Sequence, residues 1–288
     1  MRPHPSATDP AFSARVALML ELAERAGTVA LRHFQCAKLS IETKPDASPV
    51  TEADLEIEAM IRTQIRAGFA ADAMLGEEMG EERGEESGTT GFRWIIDPID
   101  GTVSFAHGVP LFGLLLAIEY NGTIHAGICA FPALRERIWA VRGEGTWWER
   151  VDADGVPHRT AARVRPCARL ADALVCSTGL EYFDRTQTTE TLVAVARTAR
   201  RIRGWSDCYG LALVATGRAD AAFEPLMKPW DCGPFPVIFA EAGGIFTDWR
   251  GSETIMGGNA VACHRDLHAE LLRVLQPSAS HEASKANA

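Results

Sequence analysis

The sequence WIIDPIDGT, residues 94–102, places two aspartates three positions apart directly after a short apolar segment. The largely apolar residues 93–96 predict a strand that ends at Asp97. Pro98 fixes its own φ angle and favours an extended Asp97, while Gly101 allows a sharp turn without a Cβ clash. The stretch is therefore expected to form a rigid loop at the end of a strand.

The two carboxylates of this loop have the character of a cation site. Asp97 and Asp100 can point at one place, with the main-chain carbonyl of Ile99 between them. Oxygen ligands suit a hard cation such as Mg²⁺, and a cation removes the repulsion that keeps neighbouring carboxylates from ionising together. Asp-Pro and Asp-Gly are also common turn formers, so the stretch alone is open to a purely structural interpretation.

Two further acidic segments lie at predicted element junctions, GEE at residues 76–78 and WD at residues 230–231. Taken singly, the first fits a solvated acidic loop and the second fits a helix N-cap. One shared metal centre explains all three segments at once, and this is the interpretation that the sequence favours. The candidate ligands are the carboxylates of these segments, namely Glu77, Glu78, Asp97, Asp100 and Asp231.

The composition is that of an ordinary soluble globular protein. The 288 residues are 47% hydrophobic and 23% charged, with a formal net charge of −9. An acidic chain binds nucleic acid poorly, because that binding depends on neutralising phosphates. The longest apolar run, residues 109–118, is too short to span a bilayer. Seven scattered cysteines without a C-x-x-C pair argue against a disulfide framework or a zinc site. We therefore expect a cytoplasmic protein with reduced thiols that binds neither nucleic acid nor a membrane.

The chain is predicted to comprise two lobes between two tails. Residues 1–10 and 276–288 lack the apolar side chains that would offset their ordering entropy, so we expect both to be disordered. Residues 11–150 are expected to form an α+β lobe that carries most of the metal ligands. Residues 151–275 are expected to form an α/β lobe, because strand and helix patterns alternate there.

Local patterns predict the individual elements. Apolar spacing and favourable caps predict helices at residues 12–34, from Thr51 onward, and at 187–200, 207–216 and 231–242. In the first helix, Arg15 falls among the polar positions. Strand patterns occur at residues 39–44, 93–96, 111–119, 123–130, 138–141, 174–177 and 219–223. Asn121-Gly122 predicts a hairpin turn, and residues 80–91 are predicted to form a charged loop.

In this order, the GEE, WIIDPIDGT and WD segments, followed by EAGG at residues 241–244, resemble the inositol monophosphatase family. The resemblance extends over residues 12–275, and DPIDGT between GEE and WD is far more specific than a lone glycine-rich motif. It implies a layered αβαβα sandwich of the α/β class. It also implies two or three Mg²⁺ ions per active site, a small phosphorylated substrate and, commonly, a homodimer.

The resemblance further implies a role for individual residues. Glu77, Asp97 and the Ile99 carbonyl match ligands of a first metal, and Asp97 bridges to a second metal that is held by Asp100 and Asp231. Thr102 matches the residue that helps to activate the attacking water, Asp54 matches its acidic partner, and Glu77 is counted with both as catalytic. Gly101 and Thr102 match the residues whose main-chain N–H groups bind the phosphate. Two cations then lower the pKa of a bound water and stabilise the leaving alkoxide, and no covalent phospho-enzyme is required.

A narrower resemblance is to the histidinol-phosphatase branch of this family. It is carried by TKPDASPVTEAD at residues 43–54, DCY at residues 207–209 and LMKPWD at residues 226–231. Histidinol phosphate carries an amine and an imidazole. The carboxylates of Asp207 and Glu224 are candidates for charge-assisted hydrogen bonds to these groups.

Several alternatives stay open at this stage. Asp207 also fits a simple cap of the helix that follows it, and Glu224 also fits an exposed strand residue. The resemblance further implies that Asp231 contacts the substrate. Glu224 matches a sugar-binding glutamate of inositol-selective relatives as well. A broader inositol or sugar phosphate phosphatase is therefore the alternative to a histidinol-phosphate phosphatase of histidine biosynthesis. A non-catalytic metal-binding relative is a third alternative. Residues 232–236 and Val103-Ser104 depart from the family pattern beside the predicted pocket.

Overall fold

The computed structural model describes residues 5, 8–36, 41–43, 49–84, 90–205 and 207–276. The predicted tails at residues 1–10 and 276–288 lie largely outside these ranges, and so do residues 44–48 of the TKPDASPVTEAD stretch. Within the described ranges, no helix is both long and apolar enough to cross a membrane. All seven cysteines are free thiols, and five of them are buried.

The helices and strands are numbered in chain order. The helices are α1 (Pro10–His33), α2 (Glu52–Phe69), α3 (Thr102–Ala106), α4 (Leu180–Arg185), α5 (Thr189–Thr198), α6 (Asp207–Ala215), α7 (Pro229–Cys232), α8 (Phe235–Glu241) and α9 (Arg265–Leu275). The strands of the first half are β1 (Ile41–Thr43), β2 (Pro49–Thr51), β3 (Ala73–Gly76), β4 (Gly80–Glu82), β5 (Phe92–Asp100), β6 (Gly113–Tyr120), β7 (Thr123–Phe131) and β8 (Glu136–Val141). The remaining strands are β9 (Thr146–Val151), β10 (Pro157–Ala161), β11 (Leu174–Cys176), β12 (Arg201–Arg203), β13 (Ala221–Glu224), β14 (Gly244–Thr247) and β15 (Ala260–His264).

The elements stack in alternating layers of helices and sheets. The helices α1 and α2 cover one face of an eight-stranded sheet with the order β10-β9-β8-β7-β6-β5-β3-β4. The helices α6, α7 and α8 lie between the other face and a five-stranded sheet with the order β12-β11-β13-β15-β14. The helices α5 and α9 cover the far face of the smaller sheet. The predicted αβαβα sandwich is confirmed.

The starts of α1 and α2 follow from their caps. The Asp9 carboxylate accepts the N–H of Ala11 at 2.9 Å, and Pro10 occupies the first helical position, where its missing N–H is not needed. In α2, Thr51 is the N-cap, and Asp54 three positions later completes a capping box. Both predicted helices are confirmed, and α1 begins two residues earlier than predicted.

Arg15 is buried, and its predicted place among the polar positions of α1 is wrong. Its side chain donates two hydrogen bonds of 2.7 Å to the carboxylate of Asp72, which is also buried. The guanidinium lies between the rings of Phe69 and Phe92, 4.2 and 4.1 Å from their centroids. The helical pattern of α1 could not indicate this burial, because Asp72 lies 57 positions away in the chain.

The antiparallel strands β6, β7 and β8 confirm the three strands that were predicted at residues 111–119, 123–130 and 138–141. Asn121 and Gly122 have φ angles of 49° and 82°, as expected for the two central residues of a tight hairpin turn. The sheet continues into β9 and β10, which the sequence patterns above did not identify. At the opposite edge, β4 occupies the start of the predicted charged loop, and residues 85–89 lie outside the described ranges.

Residues 231–242 do not form the single helix that was predicted. The chain forms α7 and α8 instead, with Gly233 and Pro234 between them. A Cβ on Gly233 would lie 3.1 Å from the Ile95 side chain, and the Pro234 Cα lies 2.6 Å from the position of a Cβ on Gly127. Proline cannot donate to a helical ladder. This close approach to the large sheet accompanies the break between the two helices.

The Gly127→Ala substitution is expected to destabilise the protein by about 1–3 kcal/mol, because the added methyl group would overlap the main chain of Pro234. Gly68→Ala is the matched control. It lies in α2, where an added Cβ would meet its nearest neighbour at 4.0 Å, and alanine there is expected to stabilise the helix by up to about 1 kcal/mol. Chemical denaturation measures both free energies of unfolding. Equal values for the two variants would contradict the close packing at Gly127.

Candidate metal centre and its cavity

A cavity of about 500 Å³ opens where the ends of β3, β5, β11 and β13 approach the starts of α3, α6 and α7. The predicted site residues other than Asp54 line this cavity. Its acidic members are Glu77, Asp97, Asp100, Asp207, Glu224 and Asp231. Acidic segments that are far apart in the chain are therefore brought into one space.

The strand β5 continues through Asp97 to Asp100, and the predicted break at Asp97-Pro98 is wrong. Asp97 pairs with Leu115 of β6 and Asp100 pairs with Gly113, so three steps along β5 span two steps along β6. Such a bulge of one residue changes the direction of the side chains near it. Pro98 suits this place because it has no N–H group that would need a partner in the ladder.

Asp97 and Asp100 lie beside Asp231 of α7. One carboxylate oxygen from each of the three lies within 4.8 Å of the other two. Asp97 is buried, and neither of its carboxylate oxygens has a hydrogen-bond partner among the described residues. An ionised carboxylate is unfavourable in such a place, and a divalent cation bound by oxygen ligands removes the cost. The residues present therefore fit a hard divalent cation.

The electrostatics of the cluster agree with this assignment. Burial raises the pKa of Asp97 well above its usual range, and the charges of Glu77 and Asp100 raise it further. Burial, and then the charges of Asp207 and Asp231, raise the pKa of Asp100 in the same way. Burial raises the pKa of Asp231 to about 7. Each carboxyl group therefore holds its proton more strongly than it would in water, unless a positive charge compensates the negative charges of the neighbouring carboxylates.

Main-chain N–H groups hold two of the three carboxylates in place. Asp100 accepts the N–H of Cys208 at 2.7 Å, at the start of α6. Asp231 accepts the N–H of Lys228 at 2.7 Å, in the first turn of α7. Both bonds favour the ionised carboxylate and orient it, so the starts of two helices contribute to the geometry of the cluster.

Glu77 reaches the cavity from β3, which pairs in parallel with β5. It follows the last residue of β3, and its N–H donates to the Ile96 carbonyl at 3.2 Å.

The Ile99 carbonyl accepts the Thr102 hydroxyl at 3.1 Å. Gly101 between them has a φ of 80°, which residues with a Cβ rarely adopt. The sharp turn predicted at Gly101 is confirmed.

Asp54 is fully buried at the start of α2. It lies close enough to Asp97 for its charge to raise the pKa of that residue. Its Oδ2 atom accepts the N–H and the hydroxyl of Thr51, at 2.9 and 2.5 Å. The Thr102 hydroxyl donates to the Ile99 carbonyl, and the pairing of Thr102 with Asp54 stays a prediction.

Asp207 and Glu224 are joined by Thr178. The Thr178 N–H donates to the Glu224 carboxylate at 3.2 Å, and its hydroxyl donates to Asp207 at 3.3 Å. Glu224 is buried, so the alternative of an exposed strand residue is wrong; burial, and then Asp207, raise its pKa well above the usual range. Asp207 has a φ of 45°, which is uncommon without glycine. Its carboxylate lies 3.1 Å from the position of a Cβ on Gly101.

The sequence patterns missed several residues of the cavity wall. They are Thr178 after β11, Tyr182 and Arg185 in α4, and Lys228 and Trp230 beside Asp231. A usable signal existed for Thr178, which follows a predicted strand, because ligands of α/β folds bind outside the carboxyl ends of strands. The position of α4 beside the cavity depends on the packing of the five-stranded sheet, and no local sequence pattern indicates it.

Comparison with known proteins gives a consistent result. Residues 14–280 match the sequence profile of the inositol monophosphatase family. A histidinol-phosphatase of Chlorobaculum parvum is 42% identical over 85% of this chain and 89% of its own length, and one of Mycobacterium tuberculosis is 37% identical over 88% and 95%. The crystal structure of the extragenic suppressor protein suhB from Bartonella henselae superposes with a TM-score of 0.80 at 29% identity, covering 92% of this chain and 99% of that one. The chain therefore belongs to the inositol monophosphatase family.

Proposed function

We propose that this protein is a Mg²⁺-dependent histidinol-phosphate phosphatase, which converts L-histidinol phosphate and water into L-histidinol and phosphate in histidine biosynthesis. Its family and its likeness to two histidinol-phosphatases make it a phosphoric monoester hydrolase. One observation carries the cation-dependent mechanism. Asp97 is buried in a cluster of carboxylates, and neither of its oxygens has a hydrogen-bond partner among the described residues.

The cluster supplies the charge that a phosphate dianion requires. When bound, divalent cations lower the pKa of a water, neutralise the phosphoryl oxygens and stabilise the leaving oxygen. The residues that would hold them are Glu77, Asp97, Asp100, Asp231 and the Ile99 carbonyl. The remaining task of the protein is positioning, because phosphoryl transfer depends mainly on alignment and charge stabilisation.

Thr102 is the residue that we assign to the attacking water. Its hydroxyl donates to the Ile99 carbonyl, so its lone pairs can accept a hydrogen bond from a water. Asp54 and Glu77 are assigned as the carboxylates that assist it, on the family resemblance. Gly101 and Thr102 lie at the start of α3, where the first N–H groups have no acceptor within the helix. These N–H groups are suited to donate to phosphoryl oxygens.

The choice of histidinol phosphate rests on Asp207 and Glu224. Thr178 holds both carboxylates at the cavity wall, and Glu224 is buried there. Two acids held together are unfavourable unless a positive charge pairs with them. The amine of histidinol phosphate supplies that charge and donates charge-assisted hydrogen bonds. The two curated relatives support this choice, because both are named histidinol-phosphatases.

A broader inositol or sugar phosphate monoesterase is the second candidate. The buried carboxylate of Glu224 favours it, because a carboxylate can accept hydrogen bonds from the hydroxyl groups of a polyol as well as from an amine. A non-catalytic relative is less well supported, since Glu77, Asp97, Asp100 and Asp231 are all present at the cavity.

The proposal also covers the cation count, the assembly and the location of the protein. The family resemblance favours two or three Mg²⁺ ions per active site and a homodimer. The free and mostly buried thiols favour a cytoplasmic location, where cysteines stay reduced.

Phosphate release in Mg²⁺ tests the assignment on histidinol phosphate, myo-inositol 1-phosphate, a sugar phosphate and 3′-phosphoadenosine 5′-phosphate. We expect kcat/KM for histidinol phosphate to exceed the others by at least about 10-fold, since a hydrogen bond to a charged group contributes roughly 1.5–3 kcal/mol. Glu224→Gln should lower this kcat/KM by roughly 10- to 100-fold for the same reason. The hydrolysis of β-glycerophosphate, which has no amine, should change much less and serves as the control. A strong preference for myo-inositol 1-phosphate would overturn the histidinol assignment.

A further inference from the structure

The turn between β3 and β4, residues 77–79, carries Glu77. One buried side chain that does not line the cavity forms hydrogen bonds with the main chain of this turn. The Oε2 atom of Glu58 in α2 accepts the N–H of Glu78 at 2.8 Å, and its Oε1 atom accepts the N–H of Met79 at 3.1 Å. The Glu58 side chain is fully buried. A single carboxylate thus binds two successive N–H groups of the segment that presents a predicted metal ligand.

Arg62, one turn further along α2, completes this arrangement. Its Nε donates to the Glu58 carboxylate at 2.8 Å, and its other nitrogens donate to the Gly80 carbonyl and to the Glu82 carboxylate. Arg62 is also buried. The pair therefore binds the turn through N–H groups on one side and through a carbonyl on the other.

Gly76 shows how closely Glu58 fits the chain. A Cβ at this position would lie 2.1 Å from the Glu58 Oε1 atom and 2.9 Å from an Arg62 nitrogen. No ordinary side chain fits there while the carboxylate keeps its place. The position of the Glu58 carboxylate therefore requires a glycine at Gly76, the first residue of the GEE segment.

An apolar contact would stabilise the turn at lower cost, because burying an ion pair carries a large desolvation penalty. The turn, however, has a specific electrostatic problem. Glu77 lines the same cavity as Asp97, Asp100 and Asp231. Because like charges repel, conformations of the turn that move the Glu77 carboxylate away from these aspartates are favoured. Bonds to the main chain on both sides of the turn oppose that movement.

We propose that the buried Glu58–Arg62 pair is a positioning element that keeps Glu77 directed at the carboxylate cluster and thereby raises the affinity of the site for divalent cations. This rests on the cation-dependent form of the proposed function. Neither residue lines the cavity, so the pair acts through the main chain of the turn. Its effect is on cation binding in the ground state, and not on the reacting atoms.

Glu58→Gln tests the proposal, with Mn²⁺ alone as the probe and no turnover required. The amide keeps the size of the side chain but presents an NH₂ group to one of the two N–H donors. We expect the Mn²⁺ dissociation constant of the metal-stripped protein, measured by the electron paramagnetic resonance of free Mn²⁺, to rise by roughly 10- to 100-fold, as for other partners of metal-binding groups. The value of kcat at saturating Mg²⁺ should recover most of the wild-type value, while the Mg²⁺ concentration for half-maximal rate rises in parallel.

Arg66→Gln is the matched control at the exposed end of the same network. Arg66 pairs with Glu82 on the surface of α2, and both side chains are partly exposed. This variant should bind Mn²⁺ as the wild type does. A loss of affinity equal to that of Glu58→Gln would mean that the general charge of the region matters and would overturn the positioning role.

Gly76→Ala provides a second variant in case Glu58→Gln does not fold. Its methyl group must displace the Glu58 carboxylate, so the same weakening of Mn²⁺ binding is expected. Folded variants that bind Mn²⁺ within about twofold of the wild type would overturn the inference while leaving the proposed function intact. A wild-type protein that binds no divalent cation would contradict the proposed function itself.

Discussion

Asp97→Asn is expected to lower the rate of phosphate release by at least about 10³-fold, more than the roughly 10- to 100-fold typical of a residue that only supports a metal ligand. Asp97 is one of the three clustered aspartates, and neither of its carboxylate oxygens has a hydrogen-bond partner among the described residues. An amide keeps the shape of the carboxylate but removes the charge and one of the two oxygens that would bind cations.

The same substitution is expected to stabilise the metal-free protein. Burial and the charges of Glu77 and Asp100 raise the pKa of Asp97, so its ionised form is unfavourable in the folded state. A neutral side chain of the same size removes that cost. Thermal unfolding in EDTA should give a higher Tm for the variant, while phosphate release in Mg²⁺ is lost. This combination of opposite changes is the result expected of a site built for a cation.

Asp72→Asn is the control, because Asp72 is equally buried but fully paired. Its carboxylate accepts two hydrogen bonds from Arg15 and one from the Trp94 Nε1–H at 3.0 Å. Removing one partner of a buried ion pair costs about 3–5 kcal/mol of stability, whereas kcat of the folded protein should change little. A near-normal rate for Asp97→Asn would exclude Asp97 as a metal ligand, and a large loss of its stability would contradict the unfavourable burial of its charge.

The free energy of unfolding of the metal-free protein is expected to fall as the pH rises from about 5 to 8. Asp97, Asp100, Asp231 and Glu224 all have a pKa in the folded protein above the value of a free carboxyl group. In this window the folded state binds more protons than the unfolded state. The free energy of unfolding then falls with rising pH, through about pH 7 for Asp231.

Among the groups that titrate between about pH 5 and 8, His268 acts in the opposite sense. Burial lowers the pKa of His268, and this contribution to stability is lost as the pH falls. Asp231→Asn separates the two effects, because His268 is the same in both proteins. In EDTA at about pH 8, where the wild-type carboxyl group must ionise at an unfavourable site, the variant should unfold several degrees Celsius above the wild type. Near pH 5 most of the difference should vanish.

Mg²⁺ should reverse this dependence. Cation binding requires the carboxylates to release their protons, and a ligand of the folded state alone raises its stability. The rise in Tm on adding Mg²⁺ is therefore expected to grow between about pH 5 and 8. A rise that is independent of pH would contradict a carboxylate cation site. So would a metal-free wild-type protein whose stability changes with pH in the same way as that of the Asp231→Asn variant.

Local patterns identified the elements whose stabilising contacts lie close in the chain. The capped starts of α1 and α2 and the Asn121-Gly122 hairpin depend on residues at most a few positions apart. The same reasoning would have found α9, whose buried residues Leu267 and Leu271 are four positions apart. The exposed strand β10 was missed, because its side chains contribute no apolar stripe.

The pocket that surrounds the site was less accessible to sequence reasoning. Arg15 looks like a surface residue of α1, and Glu58 looks like a polar residue of α2, yet both are buried against partners in other elements. Asp100 is held by the N–H of Cys208, 108 positions later in the chain. No periodic pattern carries such information, since it depends on which surfaces meet after the layers have packed.

The sequence by itself indicated the family and, through that resemblance, the layered fold and the acidic residues of the candidate site, because the motifs that carry the resemblance are short and chemically distinctive. Only the tertiary structure decided where those acids point. The bulge in β5, the break between α7 and α8, and the binding of the Glu77 turn by Glu58 and Arg62 each require contacts between distant segments. The reason is that a carboxylate cluster is unfavourable on its own, so the packing of the surrounding layers must hold it together.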